Sequence, residues 1–183
     1  MATESPPGEL GAKAPPFSLP ATDGRTYTLD NVRRPLGLVV IFMCNHCPYV
    51  KAALPRIVRD AQDLAKLDIG VVGINANDSS AYPEDSFESM VALSAEWQLP
   101  FPYLHDASQQ VARAYGAVCT PEFYGFDGGL LLRYRGRLDA SRKDPMPDAH
   151  RELFDAMQQI AQTGRGPDTQ YPALGCSIKW KTA

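Results

Sequence analysis

The stretch VVIFMCNHCPYVKAALPRI, Val39 to Ile57, joins an apolar run to two cysteines, a proline and a segment with helical spacing. The run it continues, LGLVVIF from Leu36 to Phe42, is unbroken and rich in β-branched residues, the pattern of a strand buried on both faces. Pro48 suits the first turn of a helix, where its missing N–H costs little. Val50, Leu54, Ile57, Val58, Ala61, Leu64 and Ala65 then recur at helical spacing and predict one apolar face. Pro55 falls inside that helix and predicts a kink. Cys44 and Cys47 are thus placed at a strand-to-helix junction.

Working outward, IGVVGIN (Ile69 to Asn75) reads as a second buried strand. Strand, helix, strand is a βαβ unit, so the two strands should be parallel. Phe17 to Asp30 reads as a hairpin turning at Asp23-Gly24, and Glu122 to Gly136 as another around Gly128-Gly129. Helices are expected over Pro83–Trp97, Ser108–Gly116 and Pro147–Gly164, with glycines closing the last two. Leu153, Met157 and Ile160 form the stripe of the last helix, and FPYLHD (Phe101 to Asp106) is a short extended stretch. The fold class is α/β: a central mixed sheet flanked by helices, with two parallel strands inside and an antiparallel hairpin at one edge. Residues 1–11 are expected as a flexible arm, 12–163 as the domain, and 164–183 as a tail too rich in Pro and Gly for a helix. Ile178 and Trp180 predict that this tail, which carries Cys176, docks on something apolar.

A chain of 183 residues with 44% hydrophobic and 21% charged content suits one globular domain. A net charge of −3 argues against nucleic acid as a main partner. Arg133, Arg135 and Arg137 read as one solvated face of a strand. The start MATESPPGELGAKAPP has neither a basic beginning nor an apolar core. The longest apolar run falls far short of the roughly 20 residues a membrane span takes. A cytoplasmic location is therefore the expectation. In a reducing cytosol four cysteines point to catalytic, redox-sensing or metal roles before a static disulfide framework.

A helix start offers free N–H groups and the positive end of the macrodipole, which favour a thiolate. A cysteine there can fall from about 8.5 towards roughly 3.5–7.5 in pKa. The CxxC spacing lets one helical turn bring both sulfurs together, and His46 between them would further favour the thiolate. A structural zinc site needs two more ligands. Cys119 and Cys176 are the candidates for that, but a second CxxC or HxxxH pair is absent. CxxC beside a βαβ unit favours redox chemistry instead, with no metal and no cofactor assigned. Taken alone, Cys119 reads as a small buried hydrophobe.

Three segments together carry a resemblance. GAKAPPFSLPATDGRTYTLDN, VVIFMCNHCPYV and YGAVCTPEFYGFD are similar to the N-terminal hairpin, active-site and proline segments of alkyl-hydroperoxide-reductase and thiol-specific-antioxidant-like redoxins. These belong to the thioredoxin-fold superfamily, and the resemblance covers about residues 12 to 163. It implies a thioredoxin-like fold with an N-terminal hairpin and a C-terminal extension. It also implies that Pro121 is the cis-proline lying against CxxC, with Thr120 and Pro121 shaping a substrate groove. Cys47-Pro48 echoes the peroxiredoxin signature Pro-x-x-x-Thr-x-x-Cys, but Cys44 stands where its threonine would be. The expected function is thiol–disulfide oxidoreductase: Cys44 attacks, Cys47 resolves, His46 tunes the pair. One alternative is a thiol-dependent peroxidase with Cys47 first and Cys44, Cys119 or Cys176 resolving, Cys176 in cis or across a homodimer. The other is a non-catalytic thiol- or metal-binding module. The expected partners are a protein or small-molecule thiol, disulfide or peroxide.

Overall fold

The computed structural model describes residues 2–182. Its elements are β1 (Ala2–Glu4), β2 (Ser18–Pro20), β3 (Thr26–Thr28), α1 (Leu29–Val32), β4 (Gly37–Phe42), α2 (Pro48–Lys66), β5 (Ile69–Asn75), α3 (Phe87–Glu96), β6 (Tyr103–His105), α4 (Gln110–Tyr115), β7 (Cys119–Thr120), β8 (Glu122–Phe126), β9 (Leu132–Gly136), α5 (Glu152–Thr163) and β10 (Leu174–Ser177). The central sheet has the order β6-β5-β4-β8-β9. β4 and β5 are parallel, in the register Val39↔Val71 and Ile41↔Gly73, and β6 adds a third parallel strand. The β8–β9 hairpin closes the other edge antiparallel to β4. The sheet is therefore mixed, as expected.

Every residue of β4 and β5 is buried. Alternation sends Val39 and Ile41 to one face and Leu38, Val40 and Phe42 to the other. The first face receives α2 through Val50, Ala53, Leu54, Ile57, Ala61 and Leu64, and α5 through Leu153, Ala156, Met157 and Ile160. The second packs under the β2–β3 hairpin, α1 and α4. Truncating a residue as enclosed as Leu54 to Ala is the kind of change that costs about 2–5 kcal/mol. Helix α2 runs on through Pro55, whose ring faces solvent.

Four expectations need correcting. The Pro83–Trp97 segment is split: Pro83–Asp85 forms a 3-10 turn, and Ser86 then caps α3 by accepting from Ser89 N. The last helix begins at Glu152 rather than Pro147. The start of the chain, expected as a loose arm, places Ala2–Glu4 as a strand on β10, with Ala2 opposite Cys176. Arg133 and Arg135 do lie on one face of β9, with Arg137 just beyond its end, but each of the three is committed to a carboxylate: Asp127, Glu122 and Glu152 respectively. Opposite charges thus draw that face in against the protein, and Arg135 is 8% exposed.

The tail is extended and docked. Ile178 is buried in the second core face, and Trp180 packs against it beneath the Arg113 guanidinium at 4.4 Å. Among the described residues, no helix is long and apolar enough to cross a membrane.

Candidate active site

β4 ends at Phe42, and Met43 N still donates to Ile74 O at 3.0 Å. The chain then turns through Cys44, Asn45 and His46 and enters α2 at Cys47, which is its N-cap. Cys47 O accepts the first helical bond from Lys51 N at 3.0 Å. Pro48 at the first helical position needs no N–H partner. Cys44 and Cys47 each have 0% solvent exposure.

Across from them lies the loop before β8. Thr120–Pro121 is a cis peptide. Cys44 Sγ is 3.3 Å from Thr120 Oγ1, and Cys47 Sγ, when protonated, donates to Thr120 O at 3.3 Å. Thr120, expected with Pro121 to shape a groove, therefore touches both thiols, and Pro121 follows it across the cis bond. The outer edge of β7 is occupied by β10, with Cys176 opposite Thr120 and Ser177 opposite Cys119.

The two sulfurs are driven apart in acidity. Cys47 is held well below the ordinary thiol range, to about 4, first by the Cys44 thiol donating to it, then by the Cys176 thiol and the N–H of Val50, against the opposing effect of burial. Cys44 is pushed well above the ordinary range, first because its proton is engaged by Cys47, then by burial and the charge of Asp85. Cys176 is pushed up to about 11 by burial and by its bond to Cys47. Of these three thiols, Cys47 is thus the one held acidic, while Cys44 and Cys176 are both raised.

The loop is held by Asp85, a fully buried carboxylate at the end of the 3-10 turn. Its Oδ1 accepts Asn45 N at 2.7 Å, and its Oδ2 accepts Asn77 Nδ2 at 2.7 Å. The same Oδ2 lies 2.6 Å from His46 Nδ1. Asn45 is fixed further by Tyr103 OH, which donates to Oδ1 at 2.9 Å. The His46 ring stacks on Tyr82 at 5.5 Å and 6°, and its direct partner is the carboxylate. Cys44, His46 and Asp85 bring a thiol, an imidazole and a carboxylate within 4.8 Å of one another, a donor set that zinc accepts. Taking a cation there would break the short His46–Asp85 hydrogen bond.

Cys119 points elsewhere. Its thiol is 3.9 Å from Glu122 Oε2, and burial and the Glu122 charge push its acidity far out of the working range. Glu122 is the second buried carboxylate that sequence reasoning missed. It accepts Val118 N at 2.9 Å and Tyr124 OH at 3.0 Å, and takes Arg135 Nη2 at 2.7 Å. Glu122 therefore fixes the loop that carries Thr120 and Pro121. Asp85 carried no distinguishing local signal, since it reads as an ordinary acid in a helix's first turn. Glu122 had a faint one, an acid directly after the proline at the start of an apolar strand.

A mixed sheet delivering CxxC onto a helix start, opposite a cis-proline, defines a thioredoxin-like redoxin. The chain matches the AhpC/TSA family over residues 10–138 and belongs to that family. The thioredoxin domain of a thiol-disulfide oxidoreductase from Bacteroides vulgatus shares the fold, with TM-score 0.66 and 13% identity over 85% of this chain and 99% of that one. An uncharacterized conserved protein from Geobacillus kaustophilus superposes with TM-score 0.95 at 44% identity, over 100% of this chain and 98% of that one. A Coxiella burnetii protein assigned as peroxiredoxin bcp is 27% identical over 124 residues, 64% of this chain and 72% of its own.

Proposed function

We propose that the chain is a thiol–disulfide oxidoreductase whose working pair is Cys44 and Cys47, with Cys47 as the attacking sulfur. This reverses the order expected from the sequence. The observation that carries it is the position of Cys47 at the N-cap of α2 with Cys44 three residues before it, just past the end of β4, and the lowering of the Cys47 pKa by its thiol neighbours supports it. The Cys47 thiolate attacks one sulfur of a substrate disulfide, and the other sulfur leaves with its electron pair and takes a proton. Cys44 then loses its proton and attacks Cys47 Sγ. The substrate's second sulfur leaves as a thiol, and a Cys44–Cys47 disulfide remains. Cys47, with the lower pKa, is also the better leaving group when a reductant reopens that bond. Asp85 and His46 hold the loop that sets the sulfur-to-sulfur geometry, and a reducing, cytoplasmic setting would return the dithiol. The test is catalysis of exchange between dithiothreitol and a protein disulfide. Wild type should be active and Cys47→Ser and Cys44→Ser inactive; a fully active Cys47→Ser variant overturns the proposal.

Peroxide reduction is a second reading, favoured by the closure of the site: with both sulfurs at 0% exposure, a small oxidant reaches them more easily than a folded protein. The Cys47 thiolate would attack the peroxide oxygen, releasing hydroxide or alkoxide and leaving Cys47 as a sulfenic acid. Cys44 would then displace water to form the same disulfide. Addition of hydrogen peroxide to reduced Cys44→Ser protein with a dimedone-type trap should label Cys47; absence of label removes this reading.

A further inference from the structure

Cys44 and Cys47 both have 0% solvent exposure in the reduced protein, and a dithiol that turns over must also meet an external reductant. Of the four cysteines, Cys176 alone has solvent access. It is seated by β10, whose position is built rather than incidental. β10 is paired on both sides, with β7 through Cys176↔Thr120 and with β1 through Ala2↔Cys176. Gly175 lies so close to the cis-proline loop that an added Cβ would stand 2.0 Å from Thr120 O and 3.1 Å from Pro121 N. Only glycine allows that approach. Beyond β10, Ile178 N donates to Val118 O at 3.0 Å, and Lys179 N donates to Asn77 Oδ1 at 2.9 Å. Asn77 also donates to Asp85 Oδ2 at 2.7 Å, so one side chain ties the tail to the carboxylate that holds the CxxC loop.

We propose that Cys176 is the third thiol of the site, an internal exchange partner through which an external dithiol reaches the buried Cys44–Cys47 disulfide. The inference rests on the dithiol reading above and deepens it. In the oxidised protein, Cys176 gives its proton to solvent and its thiolate attacks Cys47 Sγ. The Cys47–Cys176 bond forms, the Cys44–Cys47 bond breaks, and Cys44 takes the electron pair and a proton. No net oxidation occurs in this step. A thiolate of the external dithiol then attacks Cys176 Sγ, and Cys47 leaves as its stable thiolate. The reductant's second thiol closes on its own sulfur of the mixed disulfide, releasing Cys176, which is reprotonated. Two electrons pass from the dithiol to the protein, and the dithiol leaves as a disulfide.

The test is a peptide map of disulfides after mild oxidation with diamide, together with the rate at which dithiothreitol reduces the oxidised protein. Cys44→Ser should yield an intramolecular Cys47–Cys176 peptide pair, and wild type both that pair and Cys44–Cys47. Oxidised Cys176→Ser should be reduced about tenfold more slowly than wild type, or worse. Gly175→Ala, which forces β10 off Thr120, should lose the Cys47–Cys176 pair from the map. The proposal is overturned if Cys44→Ser yields Cys47–Cys119 or no intramolecular bond, or if Cys176→Ser is reduced at the wild-type rate. Lack of exchange activity in wild type would instead count against the oxidoreductase reading, and the map would still decide the place of Cys176.

Discussion

Asp85 Oδ2 stands 2.6 Å from His46 Nδ1 while Asp85 Oδ1 takes Asn45 N at 2.7 Å, so one buried carboxylate grips both residues between the two cysteines. Its charge is also one of the causes that raise Cys44. Asp85→Asn removes that charge and keeps the shape. The Cys44 thiol should therefore titrate at lower pH in the variant, read as thiolate absorbance on the alkaline side. Asp85→Ala also strands the buried Asn45 N–H and should cost about 1–3 kcal/mol in urea denaturation. A purely structural Asp85 would leave the Cys44 titration of Asp85→Asn where it is in wild type.

The largest cause of the lowered Cys47 pKa is the neighbouring Cys44 thiol. Reduced wild type should carry one thiolate at neutral pH, lost as the pH falls through about 4. Because the folded value lies below the unfolded one, the stability this group contributes is fully present above the unfolded thiol pKa. It is lost progressively as pH falls towards that folded value. Cys44→Ala removes the donor, so its thiolate should disappear at distinctly higher pH. An unchanged titration in Cys44→Ala would contradict the assignment.

Glu122 is fully buried, and its partner Arg135 is 8% exposed. Glu122→Ala leaves that guanidinium unpaired and releases Val118 N, so stability should fall by about 3–5 kcal/mol. Because Glu122 orders the loop bearing Thr120, exchange activity should fall as well, even at temperatures where the variant stays folded. Urea melts and the dithiothreitol-coupled assay check the two effects separately.

The parts of the molecule that can be read from the chain are those whose signal is local. Leu38 to Phe42 and Ile69 to Ile74 are unbroken apolar runs because both sheet faces are covered. Gly116 and Gly164 close their helices with φ of 64° and 71°. CxxC, with Pro48 behind it, marks its own place at the helix start. What is hidden is made by distant partners. Nothing in Ala2–Glu4 or Leu174–Ser177 reads as a strand, because they are strands only by pairing with each other and, for Leu174–Ser177, with β7. Asp85 looks like any acid in a first turn until the fold sets it against Asn45 and His46. The unlike surroundings of the two cysteines were equally hidden: Cys47 is the N-cap of α2, while Cys44 lies within 4.8 Å of the His46 and Asp85 side-chain ligand atoms, a difference that spacing alone leaves open.

The central claim is that Cys47 attacks first. The most direct measurement is a rapid-quench trap of reduced protein with oxidised glutathione, followed by peptide mapping of the adduct in Cys44→Ser and Cys47→Ser. The account predicts a glutathione mixed disulfide on Cys47 in Cys44→Ser and none on Cys44 in Cys47→Ser. An adduct that forms on Cys44 in Cys47→Ser, and faster than any on Cys47 in Cys44→Ser, would contradict it.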